Sequence, residues 1–166
     1  MNISVSRFDT PDSVAHWYAI GDAVMGGVSA SQMAYDPDGY AVFSGAVSLA
    51  NNGGFASVRS PVKISASDGV SAYLLTVRGD GKRYKFSVRT GSDFDGIGYQ
   101  AEFEAPSGDW TRVRLALADF VPTWRGRVLA QAPLLASARV RQVGLVIADR
   151  QVGAFRLALR AIELAA

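Results

Sequence analysis

A chain of 166 residues with 17 basic and 15 acidic side chains is long enough to enclose one sizeable core, and too evenly charged to point to nucleic acid or an anionic membrane. It has no cysteine, which excludes disulfides, thiolate metal sites and a Cys nucleophile; the single histidine, His16, excludes multi-His metal centres and is the one base a Ser-His-Asp triad could use. Only three Glu and three Lys are present, while Gly, Ser, Val, Tyr and Phe are plentiful, so composition favours strands joined by tight turns over helices.

Residues 1–7 lack the apolar core of a signal peptide, and no apolar run reaches membrane-spanning length. The expectation is a cytoplasmic protein without an integral membrane segment. Residues 8–17 contain Asp9-Thr10-Pro11-Asp12-Ser13 and read as a loop entering a short helical or irregular segment. In Gly21-Asp22-Ala23-Val24-Met25-Gly26-Gly27-Val28-Ser29 the adjacent glycines suit a sharp turn with exposed backbone N–H groups. The run has neither the spacing of a dinucleotide-binding loop nor a phosphate-binding lysine, so a turn packed under a sheet, with Met25 as core filler, is the favoured reading.

Residues 32–35 and 40–49 flank Asp36-Pro37-Asp38-Gly39, which has the residue types of a hairpin turn. Asn51-Asn52-Gly53-Gly54 is the strongest turn signal in the chain and is expected to close a tight hairpin between 40–49 and a strand over 55–59. Its two Asn side chains beside Arg59 also form a candidate polar recognition wall.

From residue 73 onward the period-two signal is clear. Tyr73, Leu75 and Val77, then Tyr84, Phe86 and Val88, then Tyr99, Ala101 and Phe103, then Val113, Leu115 and Leu117 alternate mostly with polar residues. This is the pattern of antiparallel strands with one apolar and one polar face. If the four are neighbours, Arg78, Lys85, Arg89, Gln100, Glu102, Arg112 and Arg114 share a face, either a solvated surface with weak ion pairs or an open binding surface. Residues 119–135 form a long connection, of a length uncommon without a role. The last two strands are expected over 139–148 and 154–164. No repeat or linker interrupts the chain, so residues 1–166 read as one domain. About nine strands with turns at regular spacing predict an all-β, two-sheet sandwich of the jelly-roll kind.

Trp110 and Trp124 sit beside polar stretches and are candidates to stack on a sugar ring or anchor a protein partner; Trp110 could equally cap the core, and Trp124, in the long loop beside Arg125, is the better candidate for exposure. The carboxylate pairs Asp93/Asp95 and Glu102/Glu104 lack the apolar setting that raises a catalytic pKa and read as surface groups. Asp9, Asp22 and Asp149 lack the spacing of an EF-hand-like calcium loop, and His16 beside Trp17 reads as structural. No nucleophile–base set emerges, so the chain is expected not to be an enzyme and to need no cofactor or metal.

Several motifs occur in order along the chain. Trp17 precedes the Gly21–Ser29 run; Phe43-Ser44-Gly45 and Asn51-Asn52-Gly53-Gly54-Phe55-Ala56-Ser57-Val58-Arg59 follow. Arg78-Gly79-Asp80-Gly81 with Tyr84, then Trp110, Phe120, Arg125-Gly126-Arg127 and Asp149-Arg150-Gln151-Val152-Gly153-Ala154-Phe155 complete the set. Together they resemble the complex I intermediate-associated protein 30 family across nearly the whole chain. The resemblance implies a galactose-binding-domain-like jelly roll and, for mitochondrial members, a role in assembling respiratory complex I. It also implies a fold akin to carbohydrate-binding modules; family members occur fused to dinucleotide-binding domains. This chain shows no transit peptide, which gives it a bacterial look. The expected function is a non-enzymatic binding or assembly module that contacts proteins, complex I subunits or assembly factors among them. The alternative is a carbohydrate-binding module with a glycan partner held on the concave face of the jelly roll. Candidate binding residues are Asp22, Asn51, Asn52, Arg59, Arg78, Arg89, Gln100, Trp110, Trp124 and Arg125. Since the family motif carries both Asp22 and Arg59, a half-buried Arg59 paired with an acidic residue such as Asp22 is expected.

Overall fold

The computed structural model describes residues 2–21, 30–50, 54–64, 69–90, 97–124, 127–132 and 135–166. Thirteen strands are found there, in chain order β1 (Ile3–Arg7), β2 (Tyr18–Gly21), β3 (Ala30–Asp36), β4 (Tyr40–Val47), β5 (Ala56–Pro61), β6 (Ala72–Arg78), β7 (Arg83–Arg89), β8 (Gly98–Glu104), β9 (Thr111–Ala116), β10 (Val121–Trp124), β11 (Arg127–Val128), β12 (Gln142–Ile147) and β13 (Gly153–Ala165). They form an all-β antiparallel sandwich. One sheet has the order β3-β4-β13-β6-β9, with β1 also paired to β13; the other runs β11-β10-β8-β7-β12-β5-β2.

The apolar positions of the alternating strands meet between the sheets. Phe43 and Phe155 from one sheet lie beside Tyr84 from the other, with Phe43–Phe155 ring centroids 4.9 Å apart. Tyr73 and Phe86 bridge the sheets in the same way at 5.0 Å. These rings are fully buried or nearly so, as are Leu145, Ile147, Leu157 and Leu159. A bank of aromatics at offset or edge-on geometry contributes both buried area and orientation-dependent attraction.

The Asp36-Pro37-Asp38-Gly39 turn closes the β3–β4 hairpin as expected. Gly39 donates its N–H to the Asp36 carbonyl at 2.9 Å, Asp38 donates its N–H to the Asp36 carboxylate at 2.9 Å, and Gly39 holds φ +94°. Other expectations change. β4 and β5 belong to different sheets, so they do not form the expected tight hairpin; Asn51, Asn52 and Gly53 lie outside the described residues. The reason is burial: β4 offers Ala41, Phe43 and Val47 to the core from one side, β5 offers Ala56 and Val58 from the other. Phe55 precedes β5, which frees Arg59 to share the outward face with Ser57.

The strands that share a polar alternation also divide. β7 and β8 are neighbours in the seven-stranded sheet, whereas β6 and β9 pair in the other. Arg78, Arg112 and Arg114 therefore face away from Lys85, Arg89, Gln100 and Glu102, on opposite sides of the sandwich. The connection read over 119–135 is not structureless: β10 and β11 extend the edge of the seven-stranded sheet beside β8. With β1 and β2, they account for more strands than the nine expected. All four are short or carry weak alternation, which is why periodicity passes over them.

Candidate functional site

The outward face of the seven-stranded sheet is organised by register into rows that run across the strands. Tyr18, Arg59, Gly144, Ser87, Gln100 and Val121 are successive cross-strand partners on β2, β5, β12, β7, β8 and β10. The next row is Pro61, Gln142, Arg89, Gly98, Thr123 and Val128. At the usual spacing between strands, Tyr18 and Gln100 stand about 19 Å apart. Neither row contains a carboxylate. A third row, with Lys85 and Glu102, is different: Lys85 pairs with Asp149 at 3.6 Å, and Glu102 pairs with Arg83 at 3.8 Å. Ion pairs thus stand at one end of the face, and two arginines, Arg59 and Arg89, stand in its middle.

Two glycines seat the two central arginines. A Cβ on Gly144 would stand 3.1 Å from Arg59 Cγ, so the Arg59 stem lies across this position. A Cβ on Gly98 would stand 3.6 Å from both Arg89 Cζ and Arg89 Nη2, so that guanidinium lies over its cross-strand partner. Both arginines are half-buried. Burial, and then the Arg89 charge, lower the Arg59 guanidinium to about 10, while Tyr18 acts in the opposite sense. Arg59 still carries its charge at neutral pH. Around the pair stand Gln100, the nearly buried Gln142 and the Ser87 hydroxyl. Chemically, this face presents fixed cations, hydroxyl and amide groups. It can accept an anion or a ring of hydroxyls, and among the described residues it offers no nucleophile with an adjacent base.

Apolar side chains stand exposed at the ends of the rows. Tyr18 is 44% exposed at one end; at the other, Val121 is 41% exposed and Val128 69%, while Trp124, also 41% exposed, follows Thr123 on β10 and so lies on the other face of that edge strand. Trp124 is thus at the surface, as its sequence setting suggests.

Of the residues singled out from the sequence, Arg59, Arg89 and Gln100 come together here; Trp124 is exposed on β10 but turned to the other face. Arg78 and Trp110 do not join them. They lie on the opposite sheet, where Trp110 meets the Arg78 guanidinium at 4.8 Å, the Arg160 guanidinium at 4.2 Å and the Tyr40 ring edge-on at 5.3 Å. Asp22, Asn51, Asn52 and Arg125 lie outside the described residues, and with Asp22 the ion pair expected for Arg59. Within the described residues both Arg89, a cation, and Tyr18 act on Arg59. Tyr18, Ser87, Gln142 and Gly144 were missed. Gln142 and Gly144 do leave a signal, as alternate non-apolar positions in the otherwise apolar run of β12. Tyr18 leaves none.

Among the described residues no three His, Cys, Asp or Glu side chains cluster as metal ligands, and no helix is long and apolar enough to cross a membrane. His16 is exposed beside the half-buried Trp17.

The fold places the chain in a class of β-sandwich modules. A family 11 carbohydrate-binding module from Clostridium thermocellum, solved with a β-1,3-1,4-mixed-linked tetrasaccharide, superposes with a TM-score of 0.72 at 10% identity, covering 99% of this chain and 95% of that one. A family 29 carbohydrate-binding module matches at a TM-score of 0.52 and 11% identity, over 99% of this chain and 91% of that one. The agarase AgWH50C matches at 0.60 and 10% identity, over 99% of this chain but 26% of the enzyme. At such identities the likeness is one of fold. No curated protein matches the sequence. The chain belongs to the complex I intermediate-associated protein 30 family, whose model matches residues 6–159.

Proposed function

We propose that this chain is a non-catalytic binding module that engages a protein partner through the outward face of the seven-stranded sheet, and that the partner is a subunit or assembly factor of respiratory complex I. Family membership supports the choice of partner. The observation that carries the choice of surface is the contiguity of exposed Tyr18 at one end, and of Val121 and Val128 at the other, with the arginine–glutamine rows. Apolar and aromatic anchors beside arginine and amide donors are the composition of protein interfaces. The test is affinity capture from the native cell with the wild-type chain and with a Val121→Asp, Val128→Asp double variant. Wild type recovers complex I proteins and the variant loses them. Recovery of no complex I protein by the wild type, or equal recovery by both, overturns the reading.

One observation favours a second reading. The exposed Tyr18 ring adjoins Arg59, in a row that also carries Gln100, and an aromatic face with nearby polar donors also suits a sugar. Calorimetry with mixed-linkage β-glucan oligosaccharides separates the two: saturable heat abolished by Tyr18→Ala would select the glycan.

A further inference from the structure

The opposite sheet carries a second cavity, unrelated to the face described above. Strand β13 changes partners there. It pairs with β4 as far as Leu159 and with β1 from Ala161, and the register against β6 shifts between these two residues. Arg160 is the extra residue at that shift, its carbonyl accepting the Phe8 N–H at 3.0 Å. Bulges of this kind re-aim side chains and recur beside functional sites. Where the neighbours of β13 part, an open cavity of about 420 Å³ remains, bounded by Arg7, Asp9, Arg112, Arg160 and Glu163.

Register builds its floor. Arg7, Ala161, Thr76 and Arg112 are successive partners on β1, β13, β6 and β9, so two small residues separate two arginines. Glu163 is neutralised by Arg112 at 3.4 Å. Among the described residues no carboxylate lies within ion-pair distance of Arg7 or Arg160. The Arg160 guanidinium is instead held over the Trp110 ring at 4.2 Å, an indole that also carries Arg78. Stacking restrains a guanidinium without using its hydrogen-bond donors, which leaves the fork available for an oxyanion. The Thr76 hydroxyl adds a donor, and the Asp9 carboxylate adds an acceptor for a hydroxyl.

We infer that this cavity binds a phosphate monoester carried on a hydroxylated skeleton. Two guanidiniums without ion pairs match a dianionic phosphate in charge and in fork geometry. The acceptor on Asp9 favours an ester with neighbouring hydroxyls over inorganic phosphate. Such a group could belong to a free metabolite or to a lipid headgroup.

The experiment is an amide and arginine side-chain NMR titration of the full chain with glycerol phosphate, inorganic phosphate and, at matched ionic strength, chloride. Saturable shifts at Thr76, Ala161 and the Arg160 side chain are expected, tighter for glycerol phosphate than for inorganic phosphate. Arg7→Gln and Arg160→Gln should each weaken binding by about tenfold or more, as loss of a charge-assisted contact implies. Arg139→Gln, at an exposed arginine that does not line the cavity, should leave it unchanged. Flotation with phosphatidylcholine vesicles with and without phosphatidic acid assigns the source: retention only with phosphatidic acid, lost in Arg160→Gln, marks a lipid headgroup. Shifts that chloride reproduces, binding insensitive to both arginine variants in folded protein, or no response to any phosphate probe or vesicle would overturn the inference.

Discussion

Gly144→Ala tests the link between register and the candidate site. Gly144 does not hold a positive φ, so alanine can adopt its backbone and the cost is one of space. The added methyl would meet the Val58 carbonyl oxygen at 2.7 Å, Ser87 Oγ at 2.9 Å and Arg59 Cγ at 3.1 Å. The first is backbone of the adjacent strand and cannot swing away. The strand pair must part slightly or the Arg59 stem must lift. Overpacking of this kind costs about 1–3 kcal/mol. For a domain of this size each kcal/mol lowers Tm by about 2–4 °C, so a fall of about 4–8 °C is expected for a mid-range cost. Gly98→Ala is the internal control. Its methyl would find Thr123 Oγ1 at 3.5 Å and the Arg89 guanidinium at 3.6 Å, ordinary contacts, so stability should change by less than about 0.5 kcal/mol. Thermal melts followed by far-ultraviolet circular dichroism measure both. If Gly144→Ala melts with the wild type, the account of how Arg59 is seated is wrong.

Two further outcomes follow from the core. Asp80 accepts from the Tyr84 hydroxyl at 3.0 Å, from the Arg156 N–H at 2.9 Å and from the Lys82 N–H at 3.1 Å. Asp80→Ala leaves a buried hydroxyl and two N–H groups without their acceptor and should cost about 1–3 kcal/mol by urea denaturation; a loss below about 0.5 kcal/mol would remove Asp80 as a staple. Tyr84, through burial and then Asp80, and Tyr73, through burial, have pKa values raised in the folded state. A raised phenol stabilises fully below the unfolded value near 10 and loses that contribution as pH climbs above it, by about 1.4 kcal/mol per pH unit per tyrosine. The lowered Arg59 has the opposite sign and offsets part of the slope from about 10 upward. Stability should therefore fall above about pH 10. Tyr73→Phe should flatten the fall. Because the Tyr73 hydroxyl is buried without a hydrogen-bond partner among the described residues, the same variant should leave stability at neutral pH unchanged or raised by about 1 kcal/mol. Destabilisation by Tyr73→Phe at neutral pH would refute this account.

The class of fold was legible because alternation reports which face is buried. Val77, Phe86, Phe103 and Leu115 all point inward as the pattern demands. Alternation does not report which strand lies beside which. A polar face on β6 and another on β7 look alike in the sequence, yet they end up on opposite sides of the sandwich. For the same reason a turn signal between β4 and β5 does not report whether the chain returns to its own sheet. Within the candidate site, Arg59 was singled out because a cation following Phe55 in one strand strains simple patterning, and Arg89 and Gln100 because they alternate. Tyr18 and Ser87 are ordinary outward-facing residues that acquire meaning through their neighbours in register.

Several motifs that carry the family resemblance hold the strands in place and do not line the candidate site. Asp149 and Arg150 both adopt positive φ, +59° and +60°, in the turn between β12 and β13, where the chain passes from one sheet to the other. Gln151 then fixes that turn to β7: its amide accepts the Arg83 N–H at 3.0 Å and donates to the Arg83 carbonyl at 2.8 Å. Asp80, in the Arg78–Gly81 motif, joins the β6–β7 turn to β13 through Arg156, and so ties the two sheets from the other direction. Both binding surfaces argued above are rows perpendicular to the strands, each made of single residues from four or more strands. A one-residue slip would point each slipped side chain to the wrong face. A surface of that kind can change its ligand by substituting one outward residue, but it cannot survive loss of the devices that set register. Strong sequence signal therefore collects at turns and clasps, while Tyr18, Gln100, Arg7 and Arg160 lie outside the motifs that carry the resemblance.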